Sequence, residues 1–164
     1  MAPHLGLAAV AFVSPQNHPI LVRSFSQTHD DLLKYHYIAH TSLDVVDERI
    51  AAAPKSVECY LGFLYSMEDV AVYAYITPPK VKIILALALT DAVVRDADII
   101  TIFKALHLAY YRSAANPFLR LNLAPDAAAD HGTLLLAGST RWTAFRTRVD
   151  DVARAAGAVA LPNA

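Results

Sequence analysis

The stretch Glu58–Leu89, ECYLGFLYSMEDVAVYAYITPPKVKIILALAL, decides how the rest of the chain must be arranged. It holds three runs rich in β-branched and aromatic residues, Glu58–Met67, Val70–Thr77 and Val81–Leu89, broken only by "ED" and "PPK". Each run reads as a strand. Connections this short leave no room for a crossover, so the three form an antiparallel meander. Side chains alternate across a strand. That puts Val81, Ile83, Leu85, Leu87 and Leu89 on one face, with Lys82, Ile84, Ala86 and Ala88 on the other. Likewise Val70, Val72, Ala74 and Ile76 oppose Tyr73 and Tyr75. A sheet that is apolar on both faces needs a layer on each, and helices are the natural cover.

Toward the N-terminus, Leu7–Ser14, the turn-forming "SPQNHP" and Ile20–Phe25 make a first hairpin. A helix capped by Thr28 or Asp30 follows and runs to about Ala53, where Pro54 stops it. Beyond the meander, a second helix opens at Asp96 or Asp98, buries Ile99, Ile102, Phe103, Leu106 and Tyr110, and ends near Asn116-Pro117. A third, capped by Ser139 or Thr140, buries Trp142, Phe145, Val149 and Val152. Between the last two lies an Ala/Pro/Asp/Gly-rich segment, expected to be a flexible insertion over residues 122–138, and residues 157–164 are expected to fray. The expectation is one α+β domain over residues 1–164, with a five-stranded antiparallel sheet between helices in the order β-β-α-β-β-β-α-α.

Composition narrows the function. The 164 residues suffice for one real core. With 55% hydrophobic and 18% charged residues, some apolar surface is expected to be covered by a partner. A net charge of −1 gives no electrostatic reason to expect nucleic acid or an anionic membrane, and the 14 basic residues form no stripe along the chain. Cys59 is the sole cysteine, which excludes an intramolecular disulfide and a Cys-rich zinc site and fits a reducing compartment such as cytosol. The longest apolar run, Ile83–Leu89, is far too short to span a bilayer. Leu5–Val13 resembles a signal-peptide apolar region, but no Lys or Arg precedes it, so it is read as a strand.

The first helix carries the candidate site, in KYHYIAHTSLDVVDERI, Lys34–Ile50. Leu32, His36, Ala39, Leu43, Val46 and Ile50 recur at spacings of four and three and form its core-facing stripe. His40, Asp44 and Asp47 lie on one flank, while Ile38 and Val45 fall near the opposite side, where a solvated helix should be polar. One reading is a metal site, because His36, His40 and Asp44 recur once per turn. Tyr37, however, stands where a catalytic zinc helix would place a general base, and hydrogen-bonded or solvated side chains account for the pattern better. No phosphate-cradling glycine loop and no G-x-S-x-G elbow occur, so no catalytic residue, cofactor or metal is assigned. An exposed ridge of Ile38 and Val45, rimmed by His40, Asp44, Asp47 and Glu48, would suit a protein partner. Packing of Ile38 and Val45 under a loop of the same chain fits the pattern equally well.

KYHYIAHTSLDVVDERI resembles the first helix of the sedlin-like small subunits of the TRAPP vesicle-tethering complex, in the subunit 2-like branch. "HPILVRS", "YLGFLYSMEDVAVYAYIT", "KVKIILALAL", "FKALHLAYY" and "NPF" extend the likeness in order from about Leu7 to Phe118. The resemblance implies a longin or SNARE-like fold, with the first helix on one sheet face and the other two on the opposite face. It implies a non-catalytic adaptor without cofactor in a complex that tethers vesicles between endoplasmic reticulum and Golgi and activates a Rab-family GTPase. It also implies pairing with other small TRAPP subunits, a cytoplasmic location, and attachment to Golgi membranes only through the complex. His40, Asp44, Asp47 and Glu48 match the family's helix residues, Asp44 being the one expected to matter most for assembly. Leu119 replaces the usual aromatic after "NPF", Asn122–Gly138 exceeds the family loop, and the last helix is Arg-rich. The regulatory longin domain of a SNARE is the same-fold alternative, but it would be expected to continue into a heptad repeat and an anchor.

Overall fold

The computed structural model describes residues 5–25, 29–52, 59–89, 93–117 and 143–157. The capping residues expected for the first and third helices other than Asp30, the stop at Pro54, Trp142, Phe118, the 122–138 insertion and the tail from residue 158 lie outside them.

Five strands and three helices follow the expected order: β1 (Leu7–Val13), β2 (Pro19–Ser24), α1 (His29–Ala52), β3 (Tyr60–Met67), β4 (Val70–Ile76), β5 (Lys82–Ala88), α2 (Asp96–Ala114) and α3 (Thr143–Ala156). The sheet order is β2-β1-β5-β4-β3, with every pairing antiparallel. The two meanders thus join through β1 and β5. Val10 pairs with Leu85 and Phe12 with Ile83, placing the most apolar strand at the centre.

The two faces differ in side-chain size, and the difference sets what covers them. On one face Ala9, Ala11, Ala74 and Ala86 leave a shallow surface, so a single helix can lie close against it. α1 does so through Tyr35, Ile38, Ala39, Leu43 and Val46. The other face presents Leu7, Val10, Phe12, Tyr75, Ile83, Leu85 and Leu87, bulky enough to need two helices. α2 brings Ile99, Phe103, Leu106 and Tyr110, and α3 brings Phe145, Val149 and Ala153. Phe12 meets Phe145 edge-on at 5.0 Å, and Tyr75 stacks on Phe103 at 5.4 Å, so ring contacts fix both helices over their strands. Arg23 of β2 grips Asp150 of α3 through two 2.9 Å bonds. The Leu5 N–H donates to the Ala156 carbonyl at 3.1 Å, closing the far end. This α+β arrangement is a longin-like fold, with one helix on one side and two on the other.

α2 begins without a side-chain cap. Its N-cap is Arg95 in an extended conformation, and Asp96 and Asp98 in the first turn oppose the positive end of the helix dipole instead. Tyr60 donates to Asp96 at 3.1 Å; burial first and that carboxylate second push its phenol well above the usual tyrosine range.

Half-buried His107 of α2 sits 6.0 Å from the Tyr75 ring, and burial pushes its imidazole below the ordinary histidine range. The unfolded chain therefore takes up a proton more readily than the native one. His107 contributes its full stability above an ordinary histidine pKa of about 6.5 and loses it as pH falls toward its lower native value. His107→Gln is expected to flatten the decline in melting temperature from about pH 7 to about pH 5; an unchanged profile would assign that decline to carboxylates.

Candidate functional site

α1 is the element on which the sequence placed a site. Its buried face is Tyr35, Ile38, Ala39, Ser42, Leu43 and Val46, with Val45 and Ile50 packed at the margins. Compared with the expected stripe, the helix is turned about 60° toward Ile38 and Val45. Ile38 is 2% exposed and Val45 is half-buried against the core, so the expected outward ridge does not exist. His36 is half-buried at the edge, and the side chain of Leu32 lies outside the described set. Two polar groups account for the turn. Ser42 is fully buried because its hydroxyl donates back to the Ile38 carbonyl at 2.6 Å and meets the Tyr65 hydroxyl at 3.0 Å. Tyr65 also donates to the Ile38 carbonyl at 3.1 Å, so the core admits a serine whose hydroxyl is bonded.

The outward face follows from that rotation. Leu33 and Tyr37 are 76% and 62% exposed, one turn apart, and His40, Asp44, Asp47 and Glu48 continue the same side of the helix. The surface is therefore apolar and aromatic at one end and acidic at the other. Leu33 and Tyr37 were missed in the sequence because Tyr37 was weighed only as a replacement for a catalytic base. The signal was present in Leu33, Tyr37, Asp44 and Glu48, which repeat at turn spacing opposite the buried set.

Asp47 has a second duty. Its carboxylate accepts from the Lys82 ammonium at 2.7 Å, and Asn17 Oδ1 accepts from the same ammonium at 2.7 Å. The Lys82 side chain is only 6% exposed on the α1 face of the central strand, so this bond ties α1 to β5 and to the β1–β2 turn. Lys34 similarly reaches Glu68 at 2.9 Å and Asp69 at 3.2 Å in the β3–β4 turn, where Glu68 adopts φ 55°. Chiefly the Glu68 bond holds that ammonium above the ordinary lysine range.

His40 and Asp44 are exposed while His36 is half-buried, and among the described residues no three His, Cys, Asp or Glu side chains converge on a common point. A groove of about 330 Å³ opens between α2 and α3, but Leu5, Ile102, Ala105, Val152 and Ala156 line it with Asp98 as its one ionisable group, already paired with Arg95. Cys59 is half-buried beside Tyr75, whose hydroxyl burial and that thiol push upward in pKa. No helix among the described residues is long and apolar enough to cross a membrane.

The fold defines a small longin-like domain. The sedlin family profile matches residues 12–129, and the chain belongs to that family. It is 42% identical over 113 residues to the bovine trafficking protein particle complex subunit 2-like protein, covering 66% of this chain and 80% of that one. The protein of the same name from Dictyostelium discoideum is 35% identical over 119 residues, covering 71% and 84%. The family match ends before α3.

Ile38→Asp is expected to unfold the domain rather than to disturb a surface, since it puts a charge into a site 2% exposed; a native circular dichroism spectrum and melting temperature would contradict the burial. Asp47→Ala should lower stability by about 1–3 kcal/mol by leaving the buried Lys82 ammonium with Asn17 alone. Lys82→Met added to Asp47→Ala should restore most of the loss in chemical denaturation, because no buried cation remains.

Proposed function

We propose that this chain is a non-catalytic adaptor subunit of the trafficking protein particle complex. It docks on a sister small subunit through the outward face of α1. The observation that carries the reading is the pairing of Leu33 and Tyr37, both large and exposed, with His40, Asp44 and Glu48 on the same helix side. An exposed aromatic and leucine supply the apolar centre that a specific interface needs, and the acids supply a rim that selects a cationic counterpart. The two relatives described above are named as subunits of that complex, which supports the same class.

Its mechanism is assembly. α1 is anchored underneath by Ser42–Tyr65 and Lys82–Asp47, so its outer face is presented on a rigid support with little ordering cost on binding. Ile38 and Val45 contribute indirectly by seating the helix, while His40, Asp44, Asp47 and Glu48 remain contact candidates. As a subunit it helps position others for vesicle tethering in endoplasmic reticulum–Golgi traffic and for Rab GTPase activation. It acts on the cytoplasmic side and reaches membranes through the assembly.

Tagged protein recovered from native extract should bring down the other small subunits in near-equal amounts by mass spectrometry. Tyr37→Asp should weaken that association by about tenfold or more, as loss of an interface aromatic does. Asp44→Tyr should weaken it while leaving the melting temperature unchanged, because the residue is exposed. Recovery of the chain alone, or an undiminished association with both variants, would rule out α1 as the docking face.

A further inference from the structure

Three basic residues that lie far apart in the chain, Lys104, Arg112 and Arg148, belong to the α2 and α3 layer of the folded protein. α2 and α3 run antiparallel: Tyr110 meets Phe145 and Ser113 meets Arg148 at one end, while Asp98 and Ala156 line the groove at the other. The side of α2 turned away from the sheet carries Lys104, Leu108, Tyr111 and Arg112. Leu108 and Tyr111 are 48% and 64% exposed. Lys104 and Arg112 lie two turns apart, roughly 12 Å along the axis, and form no ion pair with a carboxylate among the described residues. Arg148 of α3 packs at the C-terminal end of α2, where its guanidinium donates to the Ser113 hydroxyl at 2.9 Å. Two cations thus flank an exposed leucine and tyrosine on α2, and Arg148 adds a third from the neighbouring helix. The exposed acids of α1, Asp44 and Glu48, are on the opposite side of that sheet.

We propose that this face of α2 and α3 lies directly on an anionic phospholipid bilayer. Leu108 and Tyr111 enter the interfacial region, and Lys104, Arg112 and Arg148 meet the headgroups. A leucine and a tyrosine flanked by long basic side chains match the interface between hydrocarbon and water, where Tyr and snorkelling cations are favoured. The cations are spread rather than converging, which suits a laterally mobile array of headgroups better than one fixed carboxylate. The sheet keeps the exposed acids of α1 on the far side from the negative surface, and the carboxylates of the α2 and α3 layer are engaged, Asp98 with Arg95, Asp150 with Arg23, Asp151 with Arg154 and Asp96 with the Tyr60 hydroxyl. With three cations and two apolar side chains the contact is weak alone, and it adds to recruitment through the assembly rather than replacing it. The adaptor function could fail without touching this reading, because the test below uses no partner.

The full chain is mixed with vesicles of phosphatidylcholine, with or without about one third phosphatidylserine, and sedimented. Binding is expected only with phosphatidylserine, and raising salt to about 0.5 M should remove most of it. That comparison needs no variant. Lys104→Ala and Arg112→Ala should each cut partitioning by about fivefold, and Leu108→Ala with Tyr111→Ala should cut it at low salt while leaving the native spectrum intact. Equal binding to both vesicles, or variants that sediment like the parent, would overturn the proposal. Full displacement by soluble poly-glutamate at equal charge would also overturn it, assigning the face to an acidic protein segment.

Discussion

Everything in this chain answers to the burial of β5 on both sides. Ile83, Leu85 and Leu87 point one way and Ile84 and Ala86 the other, and none of them is left to solvent. Burying a strand this completely requires neighbours at both edges, supplied by β1 and β4, and a helical layer on each face. The alanines on one face and the aromatics on the other then decide that one helix covers the first and two the second. Within that sandwich a single helix covers one whole face of the sheet.

The one charged side chain buried in this scheme among the described residues is Lys82, in the central strand. It survives there because Asp47 and Asn17 reach it from two separate elements. A bond between a buried cation and a half-exposed carboxylate adds little to stability unless both ends are held. Here both are, by the helix and by the hairpin turn. The same residue therefore sits at the border of the proposed interface and at the root of the helix that displays it, and a change at Asp47 would be felt in both.

Much of this was legible in the sequence, for identifiable reasons. Alternation in Val70–Thr77 and Val81–Leu89 gave the strands, their faces and the need for two layers, and short connections gave the antiparallel order. The rotation of α1 was not legible. The apolar stripe put Ile38 near the outer side, whereas Ile38 is buried beside Ser42, whose hydroxyl bonds to the Ile38 carbonyl and to Tyr65, a residue in another element. Apolar periodicity has no means of registering a polar group satisfied by a distant strand. The grouping of Lys104, Arg112 and Arg148 was hidden for the same reason, since Arg148 joins α2 only once the helices pack.

The outer edge of the sheet has a bearing on life in a crowded assembly of similar folds. β3 borders the sheet, and an edge strand invites another sheet to continue it. This one pairs irregularly with β4, with register shifts at Tyr60/Gly62 and Phe63/Tyr65, and Gly62 takes φ 81°. Arg49 of α1 donates to the Leu61 carbonyl at 2.7 Å, occupying an acceptor that an added strand would use. A bent edge with a captured carbonyl is a poor template for runaway strand addition. The chain can thus be held at high local concentration beside other sheets without indiscriminate sheet merging at this edge.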